Sequence, residues 1–88
     1  MIVWTEYMKY RASLRGFDLA EVENIVTYST ERYLDRATGR GIVVGRQQGS
    51  LVLVPIETEG ENVIPVTVHP TTRQQIRFRL RTGRYVHA

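Results

Sequence analysis

Apolar positions recur at helical spacing near the start of the chain, at strand spacing through its middle and at helical spacing again towards its end. Ile2 to Thr5 read as a short strand. Tyr7, Tyr10 and Leu14 then share a helical face while Lys9, Arg11 and Arg15 point elsewhere, which predicts a helix closed near Gly16. The next start signal is fuller. Asp18 can cap, Glu21 occupies the third helical position of a capping box, and Phe17 ahead of the cap can staple onto Val22. This second helix presents Leu19, Val22, Ile25 and Val26 as its apolar face, with Glu21 and Glu23 in the early turns where the macrodipole favours negative charge.

From Glu31 the pattern changes to β segments cut by turns: Glu31 to Arg36, Gly41 to Arg46, Leu51 to Glu57 and Val63 to Val68. Short loops between consecutive strands predict a four-stranded antiparallel meander. Ile42-Val43-Val44 and Leu51-Val52-Leu53-Val54 are continuous rather than alternating, so these strands are expected to be central and covered on both faces. Pro55 and Pro65 each remove a ladder donor, which bulges or outward-facing amide positions would accommodate. A last helix is bracketed from about Thr72 to Thr82, with Thr71 and Gln74 matching a capping box and Gly83 supplying the stop. Ile76 and Leu80 share one face of it, and Arg73, Arg77 and Arg81 form an adjacent stripe. The expected fold class is α+β: a short N-terminal strand, two helices, the meander and a basic C-terminal helix.

Composition narrows what such a fold can do. Eighty-eight residues, 42% hydrophobic and 24% charged, allow one domain. At this size the radius of gyration is expected to be about 12 Å, and an enclosed cofactor cavity would consume most of the interior, so no cofactor is expected and a surface groove is the expected active feature. The chain has no cysteine, which removes disulfides, thiolate metal sites and thiol nucleophiles. No metal is expected either. His69 and His87 are far apart, and Asp35, Glu57 and Glu61 lie on turns without ligand spacing. Glu6 interrupts the only early apolar run and the stretch Leu51 to Ile56 is far below a membrane span, which predicts a cytoplasmic protein with no membrane contact.

Charge is unevenly distributed. Of the twelve cations only Lys9 is a lysine. Met1 to Val68 carries seven basic residues against nine acidic ones, whereas His69 to Ala88 carries five arginines and no acid. A guanidinium fork suits bidentate recognition of phosphate. Like charges along the Arg73, Arg77 and Arg81 stripe repel by a few tenths of a kcal/mol per pair, which an anionic partner would relieve. Pairing with Glu31, Asp35 and Glu57 would relieve it equally.

The segments Trp4-Thr5-Glu6, Arg15-Gly16-Phe17-Asp18 with Glu21-Val22, Val44-Gly45-Arg46, and Val68-His69-Pro70-Thr71-Thr72-Arg73 resemble the small bacterial toxins of the BrnT family, within the wider RelE/ParE superfamily of toxin–antitoxin systems. The resemblance implies a twisted antiparallel sheet packed by the N-terminal helices, whose open face binds or cleaves mRNA without metal, and a cognate antitoxin protein as partner. It leaves a homodimer and a toxin–antitoxin heteromer both open.

Cleavage by a ribose 2′-hydroxyl needs a proton acceptor, a donor for the leaving oxygen and cations where phosphoryl charge grows. His69, at the junction of the last strand and the basic helix, is the candidate acid or base, and Arg46, Arg73 and Arg77 are the candidate phosphate clamp if the strand ends converge. In the tail, Tyr85 and His87 resemble in position the C-terminal His or Tyr of RelE-type relatives and are candidate substrate contacts with Arg84; Arg81 and, on the first helix, Lys9 and Arg11 are further candidates by their charge. Glu57, Glu59 and Glu61 on one hairpin turn would repel RNA nearby. The alternative is a non-catalytic RelE/ParE-like protein whose arginine-rich helix contacts nucleic acid or a protein.

Overall fold

The computed structural model describes residues 1–88. Its helices begin where a side-chain oxygen takes an orphan amide. The Thr5 hydroxyl accepts from Met8 N–H at the start of α1 (Glu6–Leu14), and the Asp18 carboxylate accepts from Ala20 N–H at the start of α2 (Leu19–Tyr28). Asp18 caps as expected, but Glu21 returns no bond to it, so the capping box is half made. The first helix ends as the glycine signal predicts, with Gly16 N–H bonded to Ser13 O and Phe17 N–H to Ala12 O. The expected N-terminal strand is reduced to one parallel bridge, Ile2 to Val63, because the chain turns at once into the Thr5 cap.

Strands β1 (Glu31–Asp35), β2 (Gly41–Gln47), β3 (Ser50–Glu59) and β4 (Asn62–Pro65) form the predicted antiparallel meander. Gln48 and Gly49, both at positive φ, make the two-residue turn between β2 and β3 that this hairpin geometry requires. The expected fourth strand does not run unbroken to Val68. It stops at Pro65 and resumes as β5 (His69–Pro70), again paired with β3. The register explains the break: Ile56 faces Pro65 and Leu53 faces His69, so one extra residue is accommodated between them. Within the break Val66 N–H donates to Pro55 O at 2.8 Å. A residue's donor and acceptor point the same way in an antiparallel ladder, so the amide that Pro55 lacks falls where the ladder is already interrupted.

The tail forms a further strand. β6 (Tyr85–His87) pairs with the outer edge of β1, giving the order β4-β3-β2-β1-β6 with β5 beside β3. Between β5 and β6 lies α3 (Arg73–Arg81), whose cap is Thr72 rather than Thr71, the Thr72 hydroxyl accepting from Gln75 N–H.

Both sheet faces are covered, as the continuous apolar runs predict. Val43, Val52, Val54, Ile56 and Val68 meet Met8 and Ala12 of α1 and Val22, Ile25 and Val26 of α2. The alternate residues Ile42, Val44, Leu51 and Leu53 meet Tyr33, Tyr85 and Ile76 of α3, with Leu80 against them. The second face is therefore not the open surface that the resemblance implies. Gly45 sets the approach of α2: a Cβ there would lie 2.7 Å from two carbons of Ile25. The radius of gyration is 12.3 Å.

Candidate functional site

Because β5 continues the edge beside β3, it places His69 opposite Leu53 on the α3 side of the sheet. Thr67 lies within the bulge just before it. The β1–β2 loop and β6 close the opposite wall. Between them is a cavity of about 160 Å³ lined by Thr67, His69, Arg79, Arg84, Asp35 and Tyr85, with Thr38, Arg40 and apolar β2 and β3 residues completing it. A second depression, lined by His69, Gln75, Arg79 and Arg84, extends the cavity along α3.

Two of its arginines are held differently. Arg84 donates from Nε and Nη2 to the two carboxylate oxygens of Asp35, both at 3.0 Å. Asp35 is 3% exposed and also accepts from Ala37 N–H, and the Arg84 hydrogen bonds hold its carboxyl below the usual range. Arg79 has no carboxylate partner. Its Nη1 donates to the Tyr85 hydroxyl at 2.9 Å and its guanidinium carbon lies 5.5 Å from the centre of that ring. Tyr85 in turn stacks on Tyr33 at 5.8 Å.

His69 is half-buried. Burial first, then the positive fields of Arg15, Arg11 and Arg79, lower its pKa below the ordinary histidine value, so the imidazole is uncharged at neutral pH. Thr67 is 8% exposed and its hydroxyl has no hydrogen-bond partner. A buried hydroxyl without a partner costs about 1–3 kcal/mol.

The four residues expected to converge do not. Arg73 is drawn to the start of β1, where Nη1 contacts both oxygens of Glu31 at 2.7 and 2.6 Å. Burial alone would raise Glu31, but the bonds from Arg73 and Tyr33 outweigh it and its carboxyl sits below the ordinary range. Burial and the same Glu31 contact push the Tyr33 hydroxyl up to about 12. Arg77 is exposed, its Nε donating only to Arg73 O. Arg46 spans its own hairpin turn to Gly49 O and lines a different depression with Glu21, Asn24 and Tyr28.

Of the remaining expected contacts, Arg84 and Tyr85 join His69 in the cavity. Arg81 lines a neighbouring depression with Phe78, Arg79 and Arg84. His87 tilts against Tyr33 at 5.3 Å. Lys9 pairs with Glu6, and the Arg11 guanidinium lies 6.0 Å from the Tyr7 ring centre. Sequence reasoning missed Arg79, Arg40 and Thr67. The signal for Arg79 was its position three residues after the buried Ile76, which turns it towards the sheet, whereas the Arg73, Arg77 and Arg81 spacing drew attention to the outer stripe.

No three His, Asp or Glu side chains gather as metal ligands, and no helix is long and apolar enough to cross a membrane. No family model, curated protein or solved structure matches the chain.

Proposed function

We propose that this chain is a metal-independent endoribonuclease of the RelE/BrnT toxin type, acting on mRNA through the cavity around His69. The observation that carries the reading is the joint lining of one cavity by an uncharged imidazole and the guanidiniums of Arg40, Arg79 and Arg84. Neutral His69 accepts the proton of the ribose 2′-hydroxyl as its oxygen attacks phosphorus. Arg79 and the Arg84 N–H groups not used by Asp35 stabilise the charge that grows on the non-bridging oxygens. The P–O5′ bond breaks, the leaving oxygen takes a proton from water, and a 2′,3′-cyclic phosphate remains.

The test is cleavage of a single-stranded RNA in the presence of a chelator. Wild-type protein cuts, His69→Ala loses on the order of 100-fold or more, and Arg79→Ala loses roughly 100-fold. The rate is flat near neutral pH and falls as acid protonates His69, with the fall displaced below the ordinary histidine range. Undiminished cutting by His69→Ala removes this assignment. Arg77 and Arg81, which form no ion pair, favour a second reading, in which α3 binds RNA without cutting it. RNA retained intact by the wild-type protein, with affinity falling as salt rises, selects that reading.

A further inference from the structure

The first helix is apolar on two opposite sides. Met8 and Ala12 face inward and are buried, while Tyr7, Tyr10 and Leu14 face outward and are 57%, 60% and 62% exposed. Their spacing of three and four residues places them in one stripe on the outer surface of a nine-residue helix. Three large neighbouring apolar side chains on one exposed face differ from singly scattered ones and mark an interaction surface.

The charges bordering this stripe favour one kind of occupant. Arg11 follows Tyr7 by one turn and Arg15 follows Leu14 directly, and neither has a carboxylate partner. Glu6 and Lys9 are paired with each other at 3.3 Å and cancel. The border is therefore net positive. A second copy packed antiparallel about a two-fold axis at mid-helix would bring Arg11 near its equivalent, which repels. We propose that the outer face of α1 is the docking site for an amphipathic helix of another protein, one that presents apolar residues at helical spacing flanked by Asp or Glu. Such a helix covers Tyr7, Tyr10 and Leu14 while its carboxylates meet Arg11 and Arg15. Tyr7, Tyr10 and Leu14 do not line the His69 cavity, and the assignment does not depend on the RNA reading.

The probe is a synthetic helical peptide with leucines at every third and fourth position and glutamates between them, and a matched peptide with lysines in place of glutamate. Fluorescence anisotropy at low salt should give micromolar binding of the acidic peptide and none of the basic one. Tyr7→Ser/Tyr10→Ser/Leu14→Ser should weaken binding at least tenfold, and Arg11→Gln/Arg15→Glu severalfold, with melting curves checking that each variant folds. The single exposed change Tyr10→Glu serves if the triple variant does not fold. Equal affinity for both peptides, no binding of the acidic peptide, or unchanged affinity in the variants overturns the proposal. So does a wild-type dimer that the triple variant dissociates, which would assign the face to a second copy. Binding to phosphatidylglycerol vesicles that the triple variant abolishes would assign it to a membrane surface and likewise overturns it.

Discussion

On the α1–α2 side of the sheet the interior is hydrocarbon: valines of the central strands meet Met8, Ala12, Val22, Ile25 and Val26, and no ionisable group belongs to the cluster. On the α3 side the apolar cluster is smaller and two of its members are tyrosines, fringed by Asp35 with Arg84, Glu31 with Arg73, and Arg79 on Tyr85. The same strands supply both surfaces through alternate residues. What differs is the covering element: α2 brings a continuous apolar face, whereas α3 buries only Ile76 and surrounds it with arginines. One side holds the fold, and the other spends part of its packing on polar groups that can meet a ligand.

The contrast predicts unequal responses to substitution. Met8→Ala empties space under α1 and should lower stability by about 2–5 kcal/mol, equally at pH 7 and pH 4, in urea melts. Asp35→Asn breaks the pair with Arg84 on the other side and should cost about 2–3 kcal/mol at neutral pH, less than a fully buried pair because Arg84 is half-exposed. That loss depends on pH. The folded carboxyl titrates below its unfolded value, so its contribution is complete above about pH 4 and disappears as pH falls through the folded pKa. Wild type and Asp35→Asn should therefore converge in acid. A gap that persists there would show that packing, not charge, sets this face apart.

The smallest expected effect has the opposite sign. Thr67→Val removes a buried hydroxyl with no partner, keeps the shape, and should raise stability by about 1 kcal/mol. A stability loss in its place would mean that the hydroxyl is already satisfied in the free protein.

The hydrocarbon side was legible in the sequence because it rests on patterns that span many residues. Leu51 to Val54 without alternation announces two covered faces, and Leu19, Val22, Ile25 and Val26 announce one helix face. The polar side was legible only in its parts. His69, Arg84 and Tyr85 stood out by type, but their meeting depends on β6 returning to β1, and three residues are too few for strand alternation to be visible. Arg73 was misplaced because spacing along a helix does not reveal that Glu31, distant in sequence, will capture it. The cap of α3 differs by one residue because Thr71 and Thr72 offer the same chemistry, and only the backbone decides which hydroxyl faces the free amide.

The return of β6 to β1 also sets an order in time. The meander closes through short turns, so its contacts join residues near in sequence and can form early in folding. Tyr33 meets His87, and Asp35 meets Arg84, only after the whole intervening stretch has been laid down. Until that strand docks, Asp35 lacks its counter-charge and Arg79 lacks the Tyr85 hydroxyl, so the cavity has no finished wall. A chain folded through Val68 would already possess its hydrocarbon interior, and the last strand to arrive would complete the wall of the cavity.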